Sequence, residues 1–342
     1  MYLKFFGLTA KPFELTPDPK FLFLTPGHRE ALAQLTYGIQ EQKGFILMTG
    51  EVGTGKTTLL RTLAERFGKE IEAAFVLNST LPFDEILEYT LADFGIPDPR
   101  GSRAQRLIAL NQFLIEQRRA GRKTLLIIDE AQNLAIETLE QIRLLSNFET
   151  STAKLVQIIL SGQPELYAKL QLPELRQLKQ RIAMRCTLRP MTGEEVGQYI
   201  TSHLRIAGTT GAIFTAAAVR AIERYSAGLP RVVNIVCDHC LLIAYADQTR
   251  EVDVAIVNRA IRYLEDAAPV RGFTAAATRR SGILRFSKRA VVGCSAGAVG
   301  AAAVAAALDA PGSYRSALHS VSAAMVEPIG GVVRWLTTWW GS

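Results

Sequence analysis

The stretch "GEVGTGKTTLL", residues 50–60, follows the apolar run "GFILMT" and decides how the rest of the chain is read. It has the form Gly-x4-Gly-Lys-Thr, with Gly50, Gly55, Lys56 and Thr57 at the fixed positions and Gly53 between them. Glycines let the backbone curl until successive N–H groups converge on phosphate oxygens, and the helix that follows adds its positive dipole end. Gly50, Glu51, Val52, Gly53, Thr54, Gly55, Lys56, Thr57 and Thr58 are therefore expected to cradle phosphates. Lys56 is expected to reach the β and γ groups, and Thr57 to ligate Mg²⁺. Phe45–Met48 reads as a buried strand before the loop and Thr57–Phe67 as a helix after it, which is the context this motif needs.

A second element lies about seventy residues on. "KTLLIIDEAQNL", residues 123–134, is apolar with little alternation, as a strand buried on both faces of a parallel sheet should be. It ends in two carboxylates. Asp129 is expected to hold Mg²⁺ and Glu130 to polarise the attacking water, which makes the chain an NTPase that hydrolyses rather than only binds.

The chain has 342 residues and a net charge of +7, but +6 of that lies beyond residue 266. There, eight Arg and Lys residues face only Asp309 and Glu327, which leaves +1 for residues 1–266. A nearly neutral NTPase portion disfavours a nucleic-acid partner. With 48% hydrophobic and 21% charged residues, wholesale disorder is excluded. Cys237 and Cys240 form "CDHC" inside the apolar helical run "VVNIVCDHCLLIAYA" with no second cysteine pair, so they are expected to be half-buried thiols rather than zinc ligands. His28, His203, His239 and His319 are scattered, without metal-ligand spacing, and are expected to be structural or at the surface. The N-terminus has no long apolar core, so it is not read as a signal peptide.

In order, residues 1–26 read as irregular but packed. Strands then alternate with helices up to "RIAMRCTLRPM", and only helices follow Pro190, near 193–206, 215–226, 230–246 and 253–265. The expected fold is an α/β three-layer sandwich with a parallel sheet (residues 1–190), followed by a helical domain (191–266), a basic linker (267–290), a candidate transmembrane helix (291–308) and a short tail (309–342).

An α/β NTPase followed by helices resembles an AAA+ ATPase. "FELTPDPKFLFLTPGHREALAQLTYGI", "MTGEVGTGKTT", "IDEAQNL", "LSGQPEL", "LKQRI" and "GLPRVVNIVCDHCLLIAYA" are similar to the general secretion pathway protein A (ExeA-like) family over residues 1–266. A branch from exopolysaccharide and sorting loci, and the TniB-type ATPases of transposons, are also similar. The resemblance implies ATP and Mg²⁺ as ligands and a helical lid over the nucleotide. It puts Gln163 at the sensor-1 position, Asn78 where a strand-end residue can restrain Glu130, and Arg231 at the sensor-2 position. It also implies a homo-oligomer in which an arginine enters the neighbouring site. Arg181 matches best, with Arg176 and Arg185 as alternatives.

The run from Val291 to Leu308 is eighteen uncharged residues, about 27 Å as a helix, marginally enough to cross a bilayer. Basic residues just before it imply a cytoplasmic ATPase anchored in the inner membrane. Secretion-type relatives would continue into an envelope domain. Here about thirty-four residues follow Leu308, too few for a peptidoglycan-binding domain. The expected function is conformational work driven by ATP in secretion or envelope assembly, with membrane proteins of those systems as partners. A DNA-associated TniB-like ATPase and a soluble regulatory ATPase with a disordered tail stay open as alternatives.

Overall fold

Runs of apolar and β-branched residues form five strands among the described residues: β1 (Phe45–Gly50), β2 (Ile71–Val76), β3 (Lys123–Ile128), β4 (Val156–Gly162) and β5 (Ile182–Leu188). The computed structural model of the chain describes residues 1–266 apart from 17, 18, 78, 79, 100, 151, 152 and 210. These belong to one compact unit, Met1–Arg271. The linker 267–290, the candidate membrane span 291–308 and the tail 309–342 lie outside the described residues, as does Asn78. Among the described residues no helix is long and apolar enough to cross a membrane.

The strands form one parallel sheet in the order β2-β3-β4-β1-β5. From β1 the chain skips to the far edge, returns through β3 and β4, and crosses to β5. The connections therefore reverse beside β1, and ligands of such sheets bind outside the carboxyl ends of the strands at this reversal. Every residue of β1 and β4 is buried, as strands covered on both faces should be.

The helices in chain order are α1 (Tyr2–Phe6), α2 (Pro26–Gln40), α3 (Lys56–Phe67), α4 (Phe83–Asp93), α5 (Arg103–Arg119) and α6 (Ile136–Leu145). They continue with α7 (Pro164–Lys169), α8 (Arg176–Arg181), α9 (Gly193–Ile206), α10 (Ala216–Ser226), α11 (Pro230–Ala246) and α12 (Val254–Asp266). Strand periodicity sorts them into layers. Ile46, Met48, Leu125 and Ile127 pack with Leu35 and Ile39 of α2 and Leu59 and Leu63 of α3. Their neighbours Phe45, Leu47, Leu126 and Ile128 point the other way, onto Leu87, Leu114, Ile142 and Leu178 of α4, α5, α6 and α8. At about 1.5–3 kcal/mol for each fully buried large aliphatic side chain, the two faces of the sheet dominate the stability of this part.

A third cluster gathers α9 to α12. Tyr2, Phe6, Leu8 and Phe13 from the N-terminus are buried in it with Ile200, Ile222, Val236 and Leu241. Backbone and side-chain bonds pin this N-terminal segment in place. Thr9 N donates to Ala207 O at 2.7 Å, Tyr2 Oη donates to Asp238 Oδ1 at 2.5 Å, and His203 Nδ1 lies 2.7 Å from Pro12 O. The N-terminal segment, expected to be irregular, thus contains the short helix α1, stabilised by packing on α11 rather than by its own five residues. Cys237 and Cys240 are fully rather than half buried on α11, and burial pushes the Cys240 thiol up to about 12.

Candidate active site

β1 ends at Gly50 and α3 begins at Lys56, so residues 51–55 form the turn between them. Gly53 and Gly55 have φ of +81° and +93°, a region that disfavours any side chain. The turn is closed by Thr54 Oγ1, which donates to Glu51 O at 2.8 Å. Lys56 is only 5% exposed, and its ammonium donates to Gly50 O at 2.8 Å and Glu51 O at 3.1 Å. Burial pushes its pKa below the ordinary lysine value, against the opposing pull of Glu130, Asp129, Glu51 and Glu165.

The carboxyl end of β3 delivers the acids. Asp129 N donates to Val76 O at 3.0 Å, extending the β2–β3 ladder by one residue and holding Asp129 at the sheet end. Its Oδ2 accepts a short hydrogen bond from Thr57 Oγ1, so the first turn of α3 and the end of β3 meet through these two oxygens. Glu130 follows with φ 51°, a left-handed conformation that is strained for a non-glycine residue and needs surrounding contacts to hold it. Those contacts include two amides: Gln132 Nε2 donates to Glu130 Oε2 at 2.7 Å, and Gln163 Nε2 donates to the same oxygen at 3.2 Å.

The third wall comes from the helical part. Arg231, near the start of α11, donates its backbone N–H to Gly53 O at 3.3 Å. A cleft of about 440 Å³ opens between this wall and the turn. It is lined by Val52 to Leu59, Glu130 and Arg231, together with Leu15, Phe23, His28 and Tyr199. Gln163 joins Glu130 at the sheet end. Asn78 lies outside the described residues.

A family model described as "AAA domain" matches residues 39–170. General secretion pathway protein A of Aeromonas hydrophila is 42% identical over 247 residues, which is 72% of this chain and 45% of that protein. This is a AAA+ protein. The chain spans less than half the length of that relative. Solved structures share the fold. The Aeropyrum pernix ORC2 protein has a TM-score of 0.58 at 18% identity, covering 74% of this chain and 71% of that one. Cdc6p from Pyrobaculum aerophilum has a TM-score of 0.57 at 19% identity, covering 72% and 71%.

In this AAA+ protein the three arginines of α8 and β5, Arg176, Arg181 and Arg185, differ in what they touch. Arg181 Nη1 donates to Asn147 Oδ1 at 2.7 Å and makes a short bond to Ser146 Oγ, so its guanidinium is tied to the C-terminal end of α6 within its own chain. Arg185 lies over the Tyr167 ring, 5.6 Å from its centroid. Arg176 is exposed at the first position of α8. None of the three lines the cleft.

Two residues beside the loop and the acids escape a reading of the sequence. His28, expected to be structural or at the surface, lies against the phosphate loop: its Nε2 is 3.0 Å from Thr54 O, and its Nδ1 is 2.7 Å from Thr25 Oγ1. A carbonyl only accepts, so Nε2 carries the proton and the Thr25 hydroxyl donates to Nδ1. Burial lowers the His28 pKa, which keeps the ring neutral in this role. Gln132 is the other. Its one signal in the sequence is its place two residues after Glu130.

Proposed function

We propose that the chain binds ATP with Mg²⁺ and hydrolyses it, and that its copies assemble so that turnover drives conformational work on secretion or envelope-assembly proteins at the inner membrane. The observation that carries this reading is the Thr57–Asp129 pair, with Lys56 beside it and Glu130 next in sequence. Thr57 hydroxyl and Asp129 carboxylate are hard oxygen donors, the chemistry that suits Mg²⁺. When bound, Mg²⁺ neutralises charge on the β and γ phosphate oxygens. The Lys56 ammonium, now on loop carbonyls, reaches phosphate in exchange. Glu130 accepts the proton of the water that attacks the γ phosphorus. Gln163 orients that water, and Arg231 closes on the γ phosphate from the helical part, which acts as a lid over residues 50–58. A guanidinium suits that place because it stays charged and can bind phosphate through two N–H groups.

The identity to general secretion pathway protein A supports the secretion assignment, and the sequence of 291–308 supports the membrane one. Titration of a fluorescent ATP analogue tests the nucleotide reading. Lys56→Ala is expected to lose binding, and Asp129→Asn to lose the Mg²⁺ dependence of binding. Wild-type affinity in Lys56→Ala contradicts the reading.

A further inference from the structure

The geometry points to Gln132 as a positioning residue that holds the Glu130 carboxylate and ties it to the end of β4. This rests on the reading of Glu130 as the base. Gln132 uses both ends of its amide. Nε2 donates to Glu130 Oε2 at 2.7 Å, and Oε1 accepts from the backbone N–H of Gln163 at 3.1 Å. The bond to Glu130 and the bond to the β4 end therefore share one rigid planar group.

Two further features serve this bridge. Gly162, the last residue of β4, leaves the space that Gln132 occupies: a Cβ there would fall 2.6 Å from Gln132 Oε1. The 3₁₀ turn Ala131–Asn133 that carries Gln132 is clamped from outside, because Lys169 Nζ donates to Gln132 O at 2.7 Å and to Leu134 O at 2.6 Å. Lys169 ends α7 and Gln163 immediately precedes it, so one short helix grips the turn at both of its own ends. The left-handed backbone of Glu130 is a conformation that the chain keeps only where neighbours over-determine it, and this bridge supplies that determination. Displacing α7 would move Gln163 and Lys169 together and, through Gln132, reorient Glu130.

The test compares turnover, nucleotide affinity and thermal unfolding. Gln132→Ala should lower kcat ten- to a hundredfold, the scale set by a misplaced reacting group, and leave the Kd of a fluorescent ATP analogue unchanged. Gln132→Glu keeps the size and the acceptor for Gln163 N–H but loses the donor to Glu130, so it spares the bond to the end of β4 and removes the bond to the carboxylate. It should still lower kcat at unchanged Kd, and it should lower the unfolding temperature. In the exchange Glu130→Gln with Gln132→Glu, the donor and acceptor are swapped, and the unfolding temperature should return to that of Glu130→Gln alone. Gln132→Glu turning over at the wild-type rate, while Glu130→Gln is inactive, overturns the role of Gln132 and leaves the base assigned. A Kd that weakens in step with kcat also overturns it. Wild-type turnover in Glu130→Gln removes the base reading, and this inference falls with it.

Discussion

Arg231 closes on Gly53 so tightly that a methyl group on that glycine would lie 2.9 Å from Arg231 Cβ, while the two residues share a backbone hydrogen bond of 3.3 Å. The phosphate loop and the start of α11 are thus packed backbone to backbone. Gly53→Ala adds a side chain at φ +81°, at a cost of about 1–2 kcal/mol, and pushes against an atom that cannot rotate away. ATP affinity should fall about tenfold or more, which corresponds to about 1.4 kcal/mol. Arg231→Ala keeps the Cβ and should leave the unfolding temperature unchanged while weakening ATP binding. Isothermal titration and thermal unfolding, measured on both variants, separate packing from phosphate contact.

His28 gives the fold a pH dependence. Its pKa is lowered from 6.5 in the folded chain, chiefly by burial, so the unfolded chain binds more protons in the window just below 6.5. Stability is therefore complete above about pH 6.5 and is lost as the pH falls towards the folded-state value. His203, also lowered chiefly by burial, acts in the same direction. His28→Gln retains an amide donor for Thr54 O but does not titrate. Denaturant unfolding between pH 7 and 5 should show a shallower loss of stability in this variant. An unchanged slope would remove His28 from the linkage.

If Arg181 enters a neighbouring site, it must first leave Ser146 and Asn147. ATPase rate per subunit should then rise with protein concentration, and Arg181→Ala should flatten that rise. Should Arg181→Ala keep the concentration dependence while Arg176→Ala loses it, the exposed Arg176 is the residue that crosses. A wild-type rate independent of concentration would argue for a monomeric enzyme.

How far the sequence carried depended on the range of each interaction. The strand patterns, the phosphate loop and the helices after Pro190 were legible because periodicity and turn chemistry are local. The boundaries moved little: β1 runs on to Gly50 rather than stopping at Met48, and α3 starts at Lys56 rather than Thr57. His28 and Gln132 were not legible. Their places depend on Thr54 and on the bare Gly162, residues that only folding brings near. The packing of residues 1–26 was expected, but the helix within them was missed for the same reason, since α1 exists through its packing on α11. The intramolecular hold on Arg181 likewise pairs residues more than thirty positions apart, which no pattern in the sequence joins.

The membrane proposal concerns residues 291–308. An arginine at Val299, near the middle of that run, should cost about 3 kcal/mol on insertion scales, enough to defeat a marginal alanine-rich segment. Wild-type protein should stay with membranes through a carbonate wash and Val299→Arg should be released. Release of the wild type by salt alone would make residues 279–289 a peripheral basic anchor instead.

Glu130→Gln tests the proposed chemistry most directly, because it removes the base while Thr57, Asp129 and Lys56 keep their places. ATP binding and turnover should be measured on the same preparation. The expected result is wild-type affinity for ATP with Mg²⁺ and a kcat lowered about a hundredfold or more, the usual contribution of a general base. Hydrolysis by Glu130→Gln at the wild-type rate would contradict the assignment of this cleft as a site of ATP hydrolysis through Glu130.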